Sequence, residues 1–397
     1  MAAAAVTSTA DRDGWRVVWV AFVVALFGWG IGFYGPAVYL PTLHQTRGWS
    51  ISTISSAITA HYLLSAALIA WLPEAYRRFG VGRITFAGAI LAGLGAIAWA
   101  NVQQPWQLVP AVTVSGAGWA ATSGAALNAI VAPWFDRDRP KAMSMAFNGA
   151  SVGGILFAPL WTGLISVLGL AQAALILGIA MPAIVCPLVW MFLRRAPPGV
   201  PASAQSARPT PRAQLFRQPR FVTISFAFAL GLFAQIGLVA HLIARLAPDF
   251  GSGPAALAIS VITLCAVFGR SLLGWLLGQR DRRIAGAASI LMQAVGSLFL
   301  AFGSGIAPLA AGCILFGLGV GNLTSLPPLI AQREFRSADV GTVVALVIAI
   351  NQAVFAFAPV IFGWLHDFTA SYVAAFLVAA GAQVAAAAVL AWGRRFR

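Results

Sequence analysis

Residues 255–277 form a largely apolar run that carries one charged side chain, Arg270. A run of that length crosses a bilayer as a helix, and in hydrocarbon only helices and closed barrels pair their own backbone polar groups. Eleven further segments of the same kind occur, at about 15–40, 51–72, 83–100, 106–131, 142–167, 170–193, 221–246, 284–304, 307–331, 340–365 and 371–392. With 60% hydrophobic and 9% charged residues and a mean hydropathy of +0.86, the chain lies far outside the range of a water-soluble domain. These observations predict an all-α, multi-pass membrane protein with twelve transmembrane helices, six on each side of a polar connection.

The expected organisation is a cytoplasmic tail over 1–14, a six-helix bundle over 15–193, a cytoplasmic linker over 194–220, a second six-helix bundle over 221–393 and a short tail over 394–397. The linker is rich in Pro, Ala and Ser and carries Arg194, Arg195, Arg208, Arg212, Arg217 and Arg220 without an acid, which suits a mobile segment at a basic membrane surface. No apolar core followed by a small-residue cleavage site stands near the start, so no cleaved signal is read. If the first tail is cytoplasmic, every Lys and Arg except Arg47, Arg245 and Arg270 falls on the cytoplasmic side. Both termini are then inside, and the location expected is the plasma membrane, in a bacterium the inner membrane. The net charge of +15 anchors topology in this way, and no nucleic-acid partner is expected.

The two halves repeat. Phe157-Ala158-Pro159 with Gly163 returns as Phe357-Ala358-Pro359 with Gly363. Gly116-x-Gly118 returns as Gly317-x-Gly319, and Trp71-Leu72 as Trp275-Leu276. Two six-helix pseudo-symmetric bundles are a transporter pattern.

The polar residues at depth are the candidate substrate-binding groups. Foremost is Arg270, about a turn past the middle of its segment, where a lipid-facing guanidinium costs roughly 2.5–3.5 kcal/mol on insertion scales. It should face protein or a watery cavity, where it can replace the water of a carboxylate with two parallel hydrogen bonds. The competing reading is a structural arginine that bonds backbone carbonyls or reaches toward the inner surface. Tyr34 precedes Pro36, and a proline there frees a backbone carbonyl. His61 and Tyr62 lie in the second segment, Asn148 and Ser151 share a face of the fifth, Gln235 and His241 lie in the seventh, and Asn322 lies in the tenth with Thr324. Asn351 and Gln352 lie in the eleventh. For each of these, bonding between helices is the simpler role, although His61 or His241 could carry a coupling proton. Gly149 and Gly153 read as close-packing positions, and Cys186, Cys265 and Cys313 as inert packing residues without metal-ligand spacing. No catalytic constellation, metal cluster or cofactor motif is present, so no enzyme and no cofactor are expected.

The chain resembles the major facilitator superfamily over its whole length. Within it, Asp13-Gly14-Trp15 and the stretch from Trp134-Phe135 through Asp136-Arg137-Asp138-Arg139-Pro140-Lys141 to Asn148-Gly149-Ala150-Ser151-Val152-Gly153-Gly154 resemble the monocarboxylate and oxalate/formate porters. The resemblance implies the major facilitator fold and a small organic anion as substrate. Two such bundles are expected to rock in alternating access, as a monomer, with protons and membrane lipids as further partners. Arg270 resembles the intramembrane arginine of such porters. Departures stand beside it. Pro73 and Arg77 occupy the places of a Gly and an Asp in the superfamily's loop between spans two and three. Ala266 stands where many carboxylate porters add an Asp, and Asn351 and Gln352 lie where oxalate-type porters carry a Lys. A single positive charge suits a monoanion. The alternative is a multidrug or other hydrophobic-solute exporter of the same fold, with Arg270 structural.

Overall fold

The computed structural model describes residues 2–194, 209–278 and 280–396. Most of the linker expectation, at residues 195–208, lies outside them. The chain divides into two compact units, Met1–Ala207 and Arg208–Arg397. Among the described residues eleven helical segments are long and apolar enough to cross a membrane. The twelfth crossing, fourth in order, reaches that length only when Leu108–Thr122 and Gly124–Val131 are taken together. The protein is an all-α membrane protein of twelve spans in two six-helix bundles.

In the first unit the first span is Ala2–Phe27, a π-helical turn Gly28–Phe33, and Gly35–Arg47. The second is Ile51–Phe79, the third Val81–Asn101, the fifth Arg139–Leu168 and the sixth Leu170–Phe192. The helix thus includes the polar stretch read as a tail. Connections are short. Gly80 (φ +84°) alone joins the second span to the third, and Gly169 (φ +80°) the fifth to the sixth, both in backbone conformations that an L side chain rarely adopts. At the start of the second span the Ser50 hydroxyl accepts the Thr53 N–H at 3.2 Å, an N-cap that pairs a donor the helix cannot.

In the second unit the spans are Pro219–Phe250, Ser252–Leu277, Arg282–Phe302, Ile306–Val320 with Asn322–Glu334, Ser337–Phe355 with Ala358–Thr369, and Tyr372–Trp392. The packing partners repeat between units. The third span packs on the fourth and sixth, the first on the fifth and the second on the fourth. Correspondingly the ninth packs on the tenth and twelfth, the seventh on the eleventh and the eighth on the tenth. Small residues set these contacts. A Cβ on Gly149 or Gly153 would lie 2.1 or 2.5 Å from the carbonyl oxygen of Phe22 or Leu26, so the first and fifth spans touch backbone to backbone there.

Four crossings that read as single apolar runs are interrupted. The fourth breaks at Ser123, whose backbone is extended, just after Thr122 turns its hydroxyl back onto the Gly118 carbonyl at 3.0 Å. The tenth breaks at Gly321, the eleventh before Pro359, which has no N–H to continue the ladder, and the first around its glycines ahead of Pro36. Hydropathy has no signal for such breaks because each side remains apolar.

Candidate functional site

The eighth span presents Leu264, Phe268, Leu272 and Trp275 at the surface, one apolar stripe suited to lipid. Ile262, Ala266 and Arg270, four apart, form the opposite, buried face, and Arg270 is 3% exposed. The guanidinium therefore faces protein, as its charge requires. Its Nε donates to the Gly321 carbonyl at 2.8 Å, and Nη2 lies 3.3 Å from the Thr324 hydroxyl. Gly321 is the break in the tenth span, and its carbonyl also accepts the Thr324 hydroxyl at 2.9 Å. The absence of a side chain lets the arginine lie against the backbone, since a Cβ on Gly321 would stand 3.0 Å from Arg270 Cζ. Arg270 thus orients itself on the interruption of a neighbouring span, a contact available to either a substrate arginine or a structural one.

The other candidates fall into separate places. In the first unit His61 and Tyr62 gather with the first and fourth spans. Nδ1 of His61 is 2.8 Å from the Ser115 hydroxyl, and the Tyr62 hydroxyl donates to the Phe33 carbonyl at 3.1 Å. Tyr34 follows Phe33 at the end of the π-helical turn, its ring against Gly154 of the fifth span. Asn148 and Ser151 are buried on the fifth span beside the glycines that meet the first.

In the second unit Asn322 turns to the ninth span, donating to the Ser289 hydroxyl at 3.0 Å, so it bonds helices on a different neighbour from Arg270. Gln235, Asn351 and Gln352 are buried on the seventh and eleventh spans. His241 is partly exposed, with Nε2 2.9 Å from the Pro359 carbonyl. Among the described residues no group of three or more His, Cys, Asp and Glu is placed to hold a metal ion. The three cysteines are free thiols inside spans.

One polar cluster carries residues that the sequence reading passed over. Arg283 is fully buried at the start of the ninth span and pairs in bidentate fashion with Glu334 at the end of the tenth, Nε to Oε1 and Nη2 to Oε2 both at 2.8 Å. Its remaining donors reach the Thr223 hydroxyl and the Arg220 carbonyl, each at 3.0 Å. Both charges sit at segment ends, where a sequence reading assigns them to solvent. Arg77, standing where the superfamily loop usually has an Asp, forms an exposed pair with Glu74 at 3.5 Å.

The family model of the Major Facilitator Superfamily matches residues 18–359. The chain belongs to the major facilitator superfamily. It is a membrane transporter rather than an enzyme. The transporter asaE of Aspergillus flavus is 26% identical over 81% of this chain and 74% of its own. Monocarboxylate transporter 13 of Bos taurus is 26% identical over 79% of this chain and 74% of its own, and that of Rattus norvegicus 24% identical over 95% and 88%. Among solved structures, the E. coli fucose:proton symporter FucP superposes with a TM-score of 0.74 at 16% identity, covering 95% of this chain and 99% of that one. The human organic anion transporter MFSD10 gives 0.73 at 15% identity with the same coverage. These two likenesses establish the fold alone.

Proposed function

We propose that this chain carries a small organic anion, a monocarboxylate, across the plasma membrane (the inner membrane of a bacterium) by alternating access, with Arg270 pairing the substrate carboxylate. The observation that carries the reading is a buried guanidinium deep in a span, directed to the broken tenth span rather than to lipid. The name of the mammalian relatives, monocarboxylate transporter 13, points to the same substrate class. A guanidinium at depth recognises a carboxylate by replacing its water with charge-assisted hydrogen bonds. Symport with a proton, exchange and facilitated diffusion are all compatible with this arrangement. The Lys and Arg distribution supports cytoplasmic termini.

A second reading has its own observation. The Nε bond to Gly321 is what an arginine holding a helix break would make, and the protein would then be an exporter of hydrophobic solutes with the same fold. A thermal-stability screen of purified protein against mono- and dicarboxylates, amino acids, sugars and lipophilic cations separates the two, run beside Arg270→Gln. A ligand at about 100 times its dissociation constant stabilises the folded state by roughly 2.7 kcal/mol. The anion reading expects a monocarboxylate to stabilise the wild type and not the variant. Stabilisation by lipophilic cations alone, or an unchanged carboxylate response in Arg270→Gln, assigns Arg270 to structure.

A further inference from the structure

His61 is 1% exposed and Tyr39 is 2% exposed, yet His61 Nε2 and the Tyr39 hydroxyl each lack a hydrogen-bond partner among the described residues. Both residues line one narrow pocket inside the first unit, with Gly32, Pro36, Trp99 and Ser115 on its wall and room for about one water molecule. The Gly32 backbone on the same wall faces the His61 ring.

The partners on the other side of the ring determine which nitrogen titrates. The Ser115 hydroxyl accepts the Trp99 indole N–H at 3.0 Å, has the Val112 carbonyl at 3.3 Å as its own acceptor, and meets His61 Nδ1 at 2.8 Å. With its proton directed to Val112, Ser115 accepts from Nδ1–H, and Nε2 is left as the basic nitrogen on the pocket side. Nδ1 keeps the same bond whether or not Nε2 is protonated.

The pseudo-repeat shows that the fold does not need these groups. Gly95 packs on Ser115 in the first unit as Gly296 packs on Phe316 in the second, an equivalence that also sets Trp99 against Leu300. Gly116 meets the His61 carbonyl where Gly317 meets that of Ile262. Ile262, Leu300 and Phe316 belong to one apolar core. The second unit makes the same packing with hydrocarbon, whereas the first places a histidine, a serine and a tryptophan N–H there.

We infer that this pocket is a proton-binding site: it holds one water between His61 Nε2 and the Tyr39 hydroxyl, and through that water His61 takes up and releases a proton. The step is addition of a proton to the Nε2 lone pair, with no other bond made or broken. A water suits both states because it donates to neutral Nε2 and accepts from Nε2–H. Among the residues lining the pocket, the titratable groups are His61 and Tyr39; Tyr62 stands beside His61 on the same span, and the third and fourth spans bring Trp99 and Ser115, which do not titrate. The inference does not depend on the substrate being an anion.

The test is a pH titration, over roughly pH 3.5 to 8.5, of the full-length purified protein with ring-labelled histidine, followed by NMR. The chain has four histidines, so His44→Gln, His241→Gln and His366→Gln assign the His61 signal without altering the pocket. The His61 signal should titrate with one midpoint, and Tyr39→Phe should move that midpoint by about half a pH unit or more. Tyr76→Phe removes another buried, unpartnered hydroxyl, one outside the pocket, and should leave it in place. A His61 signal that never titrates overturns the inference, as does an equal response to Tyr39→Phe and Tyr76→Phe.

Discussion

Glu334→Ala tests how the second unit is closed at one end. Arg283 has no exposed surface, and its donors are taken by both Glu334 oxygens, the Thr223 hydroxyl and the Arg220 carbonyl, with the Leu390 carbonyl at 3.5 Å. The contacts join the seventh, ninth, tenth and twelfth spans. Gly393 lies so close to the guanidinium that a Cβ there would be 2.0 Å from Nη1. Removing the carboxylate leaves a buried cation facing neutral acceptors, a change that costs about 3–5 kcal/mol. For a unit of this size each kcal/mol moves the melting temperature by about 2–4 °C, so the expected fall is on the order of 10 °C.

The assay is a thermal melt in detergent at one fixed scan rate, since irreversible unfolding makes the midpoint rate-dependent. The double variant Arg283→Met, Glu334→Leu removes both charges, and should recover most of the loss because apolar groups of similar volume replace a buried pair at little cost. A single variant that melts with the wild type, or a double variant less stable than Glu334→Ala, would refute the reasoning.

Two other outcomes follow from the same geometry. Gly149→Ala forces a methyl against the Phe22 carbonyl oxygen, which belongs to the backbone of another span, and should destabilise the first unit by about 1–3 kcal/mol, read as a lower melting temperature. Asp339→Ala removes the carboxylate that accepts the Thr210 N–H at 2.6 Å and the Thr210 hydroxyl at 2.9 Å and pairs with Arg336 at 2.9 Å. Tryptic cleavage after Arg212 should accelerate, and an unchanged rate would show that Thr210 is held by other contacts.

Class and fold were legible because the bilayer imposes helices on every residue of a span. A run such as 255–277 has to be helical to pair its backbone in hydrocarbon. The burial of Arg270 was legible for the same reason, since a charge at that depth cannot face lipid at low cost. The internal repeat also showed directly, in Phe157-Ala158-Pro159 and Phe357-Ala358-Pro359.

What each polar group meets was decided by the tertiary structure. Hydropathy sees Gly321 and Ser123 as small residues in apolar runs, whereas the folded chain breaks two crossings there and gives Arg270 a carbonyl to hold. Arg283 and Glu334 read as loop charges because both stand at segment ends, and their pairing depends on the approach of the ninth and tenth spans. The residues matching them across the repeat, Gly82 and Pro133, carry no charge, so the repeat gave no hint of the pair. His61 could be placed in a span from the sequence alone. Its two nitrogens differ only because Ser115 and Trp99 arrive on one side of the ring and a water-sized gap with Tyr39 on the other. A one-dimensional pattern specifies which residues enter the membrane, and the environment of each side chain is then set by contacts between spans far apart in sequence.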